Sequence, residues 1–474
     1  MIRAFAVTLL AAGLAAQEPD LPQGLGKPEP KLPSGLDQQQ KPDEPALPSG
    51  LGEKPADDGD DTGDDGESWA GRLGITGFLD VRVGTRTQRD PHERDFSIAE
   101  ARLRLEHERA FDSFVVRLSG DLVADTLART WRPDLESGEG FLDLREANVQ
   151  TTPWPWMDVK LGRQVLTWGT GDLVFLNDMF PKDWVSFLSG RDDEYLKAPS
   201  DALRVGLFSD LANLEVVATP RFDPDRYLRG DRLSYYDPAL GRRAGRDSVQ
   251  DPIVPDEWGD DAELHLRLSK NVAGLELDGY GYVGRWKSPA GVDPMTGRGT
   301  FPRLSVWGAS VRTQVAGGVA NAEFAYYDSR QDRDGDDPTI QNSQVRGLIG
   351  FERDLPEVAD ALTLGLQYYV EAMLDHGDYL ATLPGGMPAR DELRHVVTAR
   401  VTKLLMEQRL RLSLFGFVSP SDHDAYLRPS ASYTIDDSWT ATIGANVFVG
   451  EDPHTFFGQF ERNSSVFAAV RMSF

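Results

Sequence analysis

Ser465-Val-Phe-Ala-Ala-Val-Arg-Met-Ser-Phe474 is the stretch on which the reading of this chain turns. Counting back from Phe474, residues Met472, Val470, Ala468 and Val466 share one face. Ser473, Arg471, Ala469 and Ser465 share the other, with Phe467 as the exception. Successive side chains of a strand point to opposite faces, so the stretch reads as a β-strand with one apolar face and one small or charged face. The period recurs upstream. Leu79, Val81 and Val83 alternate with Asp80, Arg82 and Gly84. Leu264, Leu266 and Leu268 alternate with Glu263, His265 and Arg267. Leu410, Leu412 and Leu414 alternate with Arg411, Ser413 and Phe415.

The period alone does not say which face is buried. A soluble sandwich turns the apolar face inward, and a membrane barrel turns it toward lipid. Strand number and connection length bear on the choice. Candidate strands lie near 73–88, 96–109, 112–126, 140–151, 157–168, 201–209, 212–221, 260–270, 273–286, 303–315, 317–329, 342–354, 360–375, 391–405, 408–419, 424–435, 438–449 and 462–474. Many reach the ~9–11 residues of a tilted membrane crossing. Tight connections such as Ala110-Phe-Asp112, Val315-Ala-Gly317 and Ile435-Asp-Asp437 alternate with mostly long ones near 169–200, 222–259, 287–302, 376–390 and 450–461. Short turns on one side and long loops on the other are the arrangement of a transmembrane antiparallel β-barrel. A last strand closing on phenylalanine is typical of bacterial outer-membrane barrels, whose assembly machinery reads it. The expectation is therefore an all-β barrel of about 18 strands (16–18), with Phe474 as the assembly signal. An even count places both ends on the short-turn, periplasmic side.

The N-terminal region has a different composition. Met1-Ile-Arg3 followed by the apolar run Ala4–Leu14 and small residues reads as a signal peptide over 1–16. Residues 17–67 are rich in proline and acid and poor in aromatic residues, which predicts a disordered periplasmic tether. The tether carries Leu21-Pro-Gln-Gly-Leu25, Leu32-Pro-Ser-Gly-Leu36 and Leu47-Pro-Ser-Gly-Leu51. This repeat is either plain linker or a multivalent contact for a cell-wall or periplasmic partner. The barrel is expected over 68–474. No cysteine is present, which excludes a lipid anchor on cysteine and disulfides. A mean hydropathy of −0.41 is compatible with a barrel, because only alternate residues meet lipid. A net charge of −26 argues against nucleic acid as a partner. It suits acidic outer loops that divalent cations bridge to lipopolysaccharide.

If the aliphatic residues face lipid, the alternate residues face a lumen. That places Arg82, Arg102, Arg104, Arg117, Arg204, Arg267, Arg400, Arg411 and Arg471 on a pore wall. Rings of charge select ions in pores, whereas arginines paired across strands only stiffen the wall. Arg163 breaks the alternation, in phase with Val159 and Leu161, which implies a bulge or an interface. The loop 172–197 carries Asp172, Asp178, Lys182, Asp183, Arg191, Asp192, Asp193 and Glu194. Its Phe175, Phe180, Trp184, Phe187 and Leu188 are too apolar for a solvated loop. It is the candidate constriction, in the barrel or over its mouth. Aromatic residues near strand ends, among them Trp154, Trp156, Trp168, Tyr368, Tyr369, Phe456 and Phe457, suggest interfacial girdles.

The stretch Phe141–Phe208, with Arg145-Glu-Ala147, Leu161-Gly-Arg-Gln164, Trp168-Gly169 and Asp201-Ala-Leu-Arg204, resembles outer-membrane porin-like families. Alginate-export-type channels and related porins of unknown substrate are the nearest in pattern. The resemblance implies a loop folded inward to narrow a pore and charged residues facing it. The loop residues differ from the alginate channels, so that substrate is not carried over.

Asp332-Arg-Asp-Gly-Asp-Asp337 lacks the glycine position and closing glutamate of a calcium loop and reads as a solvated acidic loop. The histidines show no metal-ligand spacing, and no nucleotide or hydrolase fingerprint is present. No cofactor is expected. The leading expectation is a non-enzymatic outer-membrane channel for small hydrophilic solutes, anions or acidic sugars among them. The alternatives are a plugged structural barrel tethered to the envelope and a barrel enzyme using Asp422-His423-Asp424.

Overall fold

The computed structural model describes residues 74–474. The signal peptide, the linker with its repeats, and the first residues assigned above to the barrel lie outside the described residues. Eighteen antiparallel strands form one sheet. They are β1 (Ile75–Arg86), β2 (Phe96–Ala110), β3 (Val115–Asp125), β4 (Leu142–Trp154), β5 (Met157–Val165), β6 (Pro199–Leu207), β7 (Asn213–Thr219), β8 (Glu263–Val272), β9 (Leu275–Arg285), β10 (Arg303–Val315), β11 (Gly318–Ser329), β12 (Gln344–Asp354), β13 (Leu362–Met373), β14 (Leu393–Leu405), β15 (Leu410–Ser419), β16 (Asp424–Thr434), β17 (Trp439–Gly450) and β18 (Ser465–Ser473). Each pairs with its neighbours in sequence, and β18 pairs with β1 from Ser473↔Phe78 to Ser465↔Arg86, which closes the barrel. Gly77 and Phe474 exchange backbone hydrogen bonds of 3.1 and 3.0 Å below that ladder. Closure removes every sheet edge, as a lipid-embedded sheet requires.

The apolar face is turned outward. Val81 and Val83 are 46% and 50% exposed, whereas Asp80 and Arg82 are buried. On β18, Val466 and Val470 are exposed in the same way, and Ala469 is buried. That burial is inverted relative to a soluble sandwich. The two-residue turns are local in origin: Ala273 and Gly274 between β8 and β9, and Ala316 and Gly317 between β10 and β11, all have positive φ. Positive φ at both central residues is what a type I′ hairpin needs, and glycine supplies it without a Cβ penalty.

Of the two readings of Arg163, the bulge is overturned, and the girdle expectation is corrected for Trp168, Tyr369 and Phe457. The ladder of β5 and β6 runs unbroken through Leu161↔Leu203 and Arg163↔Asp201, so no bulge reverses Arg163. Arg163 keeps the outward phase near the long-loop rim. It is buried there by the loop between β3 and β4, bonding Asp201 at 2.8 Å and the Leu135 carbonyl at 2.5 Å. Trp168, expected in an interfacial girdle, lies inside and donates its indole N–H to Glu215 at 2.5 Å. Tyr369 and Phe457 are buried inside as well, while Trp154 and Trp156 are exposed and stacked at 5.4 Å.

Candidate functional site

The lumen is crossed by residues 166–198, the connection between β5 and β6. The apolar content of this segment is accounted for by its position. Leu176, Phe187, Leu188 and Leu196 pack against Tyr327, Phe415, Phe417 and Tyr426, which point inward from β11, β15 and β16. Burying a side chain such as Phe187 contributes about 2–3 kcal/mol, so these residues hold the loop inside the barrel rather than in solvent. Within it, Asp183 caps α1 (Trp184–Ser189) by accepting from the Ser186 N–H, and Gly190 ends it at φ 91°.

The first arm, 166–181, is tied to β11 and β13 by Glu323, Gln367 and Tyr327, and to β14 by the ion pair of Asp172 with Arg400. Glu323 accepts hydrogen bonds from the Thr170 and Gly171 N–H groups, the Thr170 hydroxyl and the Asn177 amide. The amide of Gln367 pairs with the backbone of Asp172, accepting at 2.7 Å and donating at 2.8 Å. Tyr327 donates to the Leu176 carbonyl at 2.5 Å.

The second arm, 182–198, is tied by charge to the opposite wall. Arg191 makes a bidentate pair with Glu100 of β2 at 2.9 and 2.6 Å. Asp192 accepts from Arg82 of β1 at 2.7 Å and from Arg471 of β18 at 2.6 Å. Asp193 accepts from Arg428 of β16 at 2.6 Å, and Glu194 lies 3.3 Å from Arg471. The Tyr195 ring lies under the guanidinium groups of Arg102, Arg104 and Arg145, 4.6–5.3 Å from its centroid. Arg145 reaches this arm because the ladder of β3 and β4 passes from Ser119↔Glu146 to Gly120↔Leu144. The extra residue is a bulge that aims Arg145 at the carbonyls of Glu194 and Lys197.

All nine arginines named from sequence take the inward phase of their strands, and eight of them are paired. Arg102 and Arg104 share Asp121, Arg117 pairs with Glu108, Arg204 with Glu215, and Arg267 with Asp278. Arg82 and Arg471 hold Asp192, and Arg400 holds Asp172. Arg411 forms no ion pair among the described residues, nor does Arg312, another inward arginine of the short-turn half. Of the named loop residues, Asp178 pairs with buried Lys182 at 2.9 Å and Asp183 with Arg226 at 3.3 Å.

Sequence reasoning missed Glu323, Gln367, Arg428, Arg145 and Arg226. Arg428 carried a usable signal, since it shares the inward phase of Tyr426 on β16. Arg226 carried none, because it lies in the loop after β7 and enters the lumen only in the folded chain. There its backbone bridges to Lys182 and Trp184.

Cavities remain on both sides of the loop. One of about 620 Å³ opens toward the long-loop rim, between α1 and residues such as Tyr369, Arg394 and Phe456. Two more, of about 740 and 410 Å³, lie toward the short turns beside Arg312, Glu352 and Arg400, and beside Arg411, Arg428 and Arg471. Asp422 pairs with Arg394 at 2.6 Å, and Asp424 accepts from the Phe457 N–H at 2.7 Å. Both carboxylates of Asp422-His423-Asp424 are thus engaged in holding the rim together.

No family model matches the chain, and no curated protein matches it. Among solved structures it is similar to Acinetobacter baumannii OccAB4, with a TM-score of 0.50 and 9% identity over 84% of this chain and 97% of that one. It is also similar to Pseudomonas putida OprB (TM-score 0.41, 12% identity, 85% and 95% covered). A triple mutant of the Rhodopseudomonas blastica porin gives a TM-score of 0.37 and 11% identity, with 84% and 99% covered. The likeness to OccAB4 is one of fold: this chain is a closed barrel of the porin type.

Proposed function

We propose that the protein is an outer-membrane channel through which small hydrophilic solutes diffuse passively, and that it is not an enzyme. One observation carries the reading: a closed barrel, apolar outside and charged inside, is crossed by an inward loop with cavities of hundreds of Å³ on either side. The loop 172–197 is the constriction of that channel, and the inward arginines are its wall. The long loops face outward to lipopolysaccharide, and the short turns face the periplasm. The barrel assembly machinery reads the strand ending at Phe474. The N-terminal repeats serve as a tether to a cell-wall or periplasmic partner.

A preference for anions or acidic sugars rests on few groups. Eight of the nine named arginines are neutralised by a neighbouring carboxylate, so Arg411, with Arg312 and Lys197 beside the inner cavities, is left to attract anions. The loop's bonds to strands all around the lumen favour a second reading, a structural barrel that its own loop plugs. Conductance of the refolded protein in a planar bilayer under a salt gradient separates the two. Stepwise openings whose reversal potential favours chloride are expected, and replacing Arg312 and Arg411 by Gln shifts that potential toward zero. A protein that migrates as a folded barrel and never opens is the plug.

A further inference from the structure

Of the nine charged residues of loop 172–197, eight have an oppositely charged group beside them, and the ninth, Lys197, lines the inner cavity with no ion pair among the described residues. The residues shared by the outer and inner cavities are of another kind. The cavity of about 620 Å³ on the long-loop side and that of about 740 Å³ on the short-turn side have two lining residues in common, Leu173 and Phe175. Both are only partly buried, as are Val174 and Trp184, whereas Leu176, Met179 and Phe180 further along the loop are buried. Leu173 has φ 58°, a left-handed conformation unusual for a bulky residue. Such strain persists only where the surroundings impose it, and here Gln367 clamps the neighbouring Asp172 backbone on both its N–H and its C=O. Phe175 is fixed by the Lys182 ammonium 4.7 Å from its ring centroid and by Trp184 at 6.2 Å. A second outer cavity, of about 360 Å³, shares with the inner cavities only Arg191, whose guanidinium is locked to Glu100 and the Ser186 hydroxyl.

We infer that Leu173 and Phe175 form an apolar collar that sets the specificity of the channel. This deepens the channel reading and rests on it. A hydrated ion must shed water to pass an apolar constriction, because neither side chain replaces the lost hydrogen bonds. A solute with a contiguous apolar face, such as a ring or alkyl segment bearing a polar group, crosses the collar with that face against the two side chains. Specificity at this point then follows from wetting rather than from fixed charge.

Single-channel conductance in potassium chloride tests the collar with Phe175→Gln, Phe175→Leu and Leu173→Asn. Leu and Gln are both shorter than Phe and differ in polarity, and Asn tolerates the left-handed backbone. Phe175→Gln and Leu173→Asn are expected to raise conductance severalfold, and Phe175→Leu to raise it much less. Equal gains from Gln and Leu would show width rather than wetting and overturn the inference. So would unchanged conductance in the Gln and Asn proteins, or a gain confined to Arg191→Ala. In each of these cases an open wild-type channel leaves the channel reading standing. Silence from the wild type and all variants, with folded migration intact, removes both.

Discussion

The two arms of the inward loop are anchored by different physics. The first arm, 166–181, is held by neutral donors converging on Glu323, by the amide of Gln367 and by a single ion pair to the wall, Asp172 with Arg400. The second, 182–198, is held by ion pairs to β1, β2, β16 and β18. Hydrogen bonds between neutral groups each add about 1 kcal/mol net, and those to a carboxylate such as Glu323 about 1.5–3 kcal/mol. A buried ion pair adds little over an apolar substitute, but losing one partner strands a charge at a cost of about 3–5 kcal/mol. The second arm is therefore fixed by several contacts of this all-or-none kind, while the first has one, Asp172 with Arg400, beside hydrogen bonds that can yield one at a time. The collar residues Leu173 and Phe175 sit on the arm with fewer ion pairs.

This contrast can be broken from the ionic side. Glu100→Gln leaves Arg191 buried with half its partner, and a loss on the order of 3 kcal/mol is expected. It is read as a fall in the temperature at which the compact, detergent-resistant band disappears. A loss under 1 kcal/mol would mean that water reaches Arg191.

A smaller effect belongs to the loop after β7, which braces the second arm. Burial, and then the charge of Glu263, push the Asp223 carboxyl up to about 7. Burial likewise pushes Glu93, in the loop between β1 and β2, up to about 7. A raised carboxylate pKa means that the folded state holds the proton longer than the unfolded chain does. Stability is then greatest at low pH and falls as pH rises from about 4 through about 7. The melting temperature should be higher at pH 5 than at pH 8, and Asp223→Asn should flatten much of that slope. A steeper slope in the variant would assign the titration elsewhere.

The smallest effect is expected at the first arm. Glu323→Gln keeps one acceptor oxygen and loses the charge, at a cost of about 1–2 kcal/mol. Limited proteolysis should then cut near Thr170 before it cuts near Asp192. Cleavage at both sites together would show that the arms are anchored equally, and the reverse order that the ionic arm is the looser.

The barrel was legible because its signal is periodic. Each candidate strand has a counterpart in the sheet, and the β10 range, 303–315, coincides with the reading from sequence. The inward phase of Arg82, Arg102, Arg204 and Arg471 followed from the same period. The loop was legible as a misfit, since Phe180 and Phe187 had no reason to be in solvent. The partners of the loop were not legible. Thr170 meets Glu323 across 153 residues of chain, and Arg82 meets Asp192 across 110. Nothing local in either segment names the other. Phe467, the exception in the opening strand, is explained in the same way. It faces the lumen, stacked under Arg82 at 5.3 Å and against Gly190 of the loop.

By itself the sequence determined which residues share a face, where strands end and which connections are long, because these depend on backbone period and turn chemistry. Only the tertiary structure decided that most wall arginines are neutralised and that Leu173 and Phe175 border both cavities. Those outcomes depend on which distant segments meet once the sheet has closed, and a one-dimensional pattern carries no term for that.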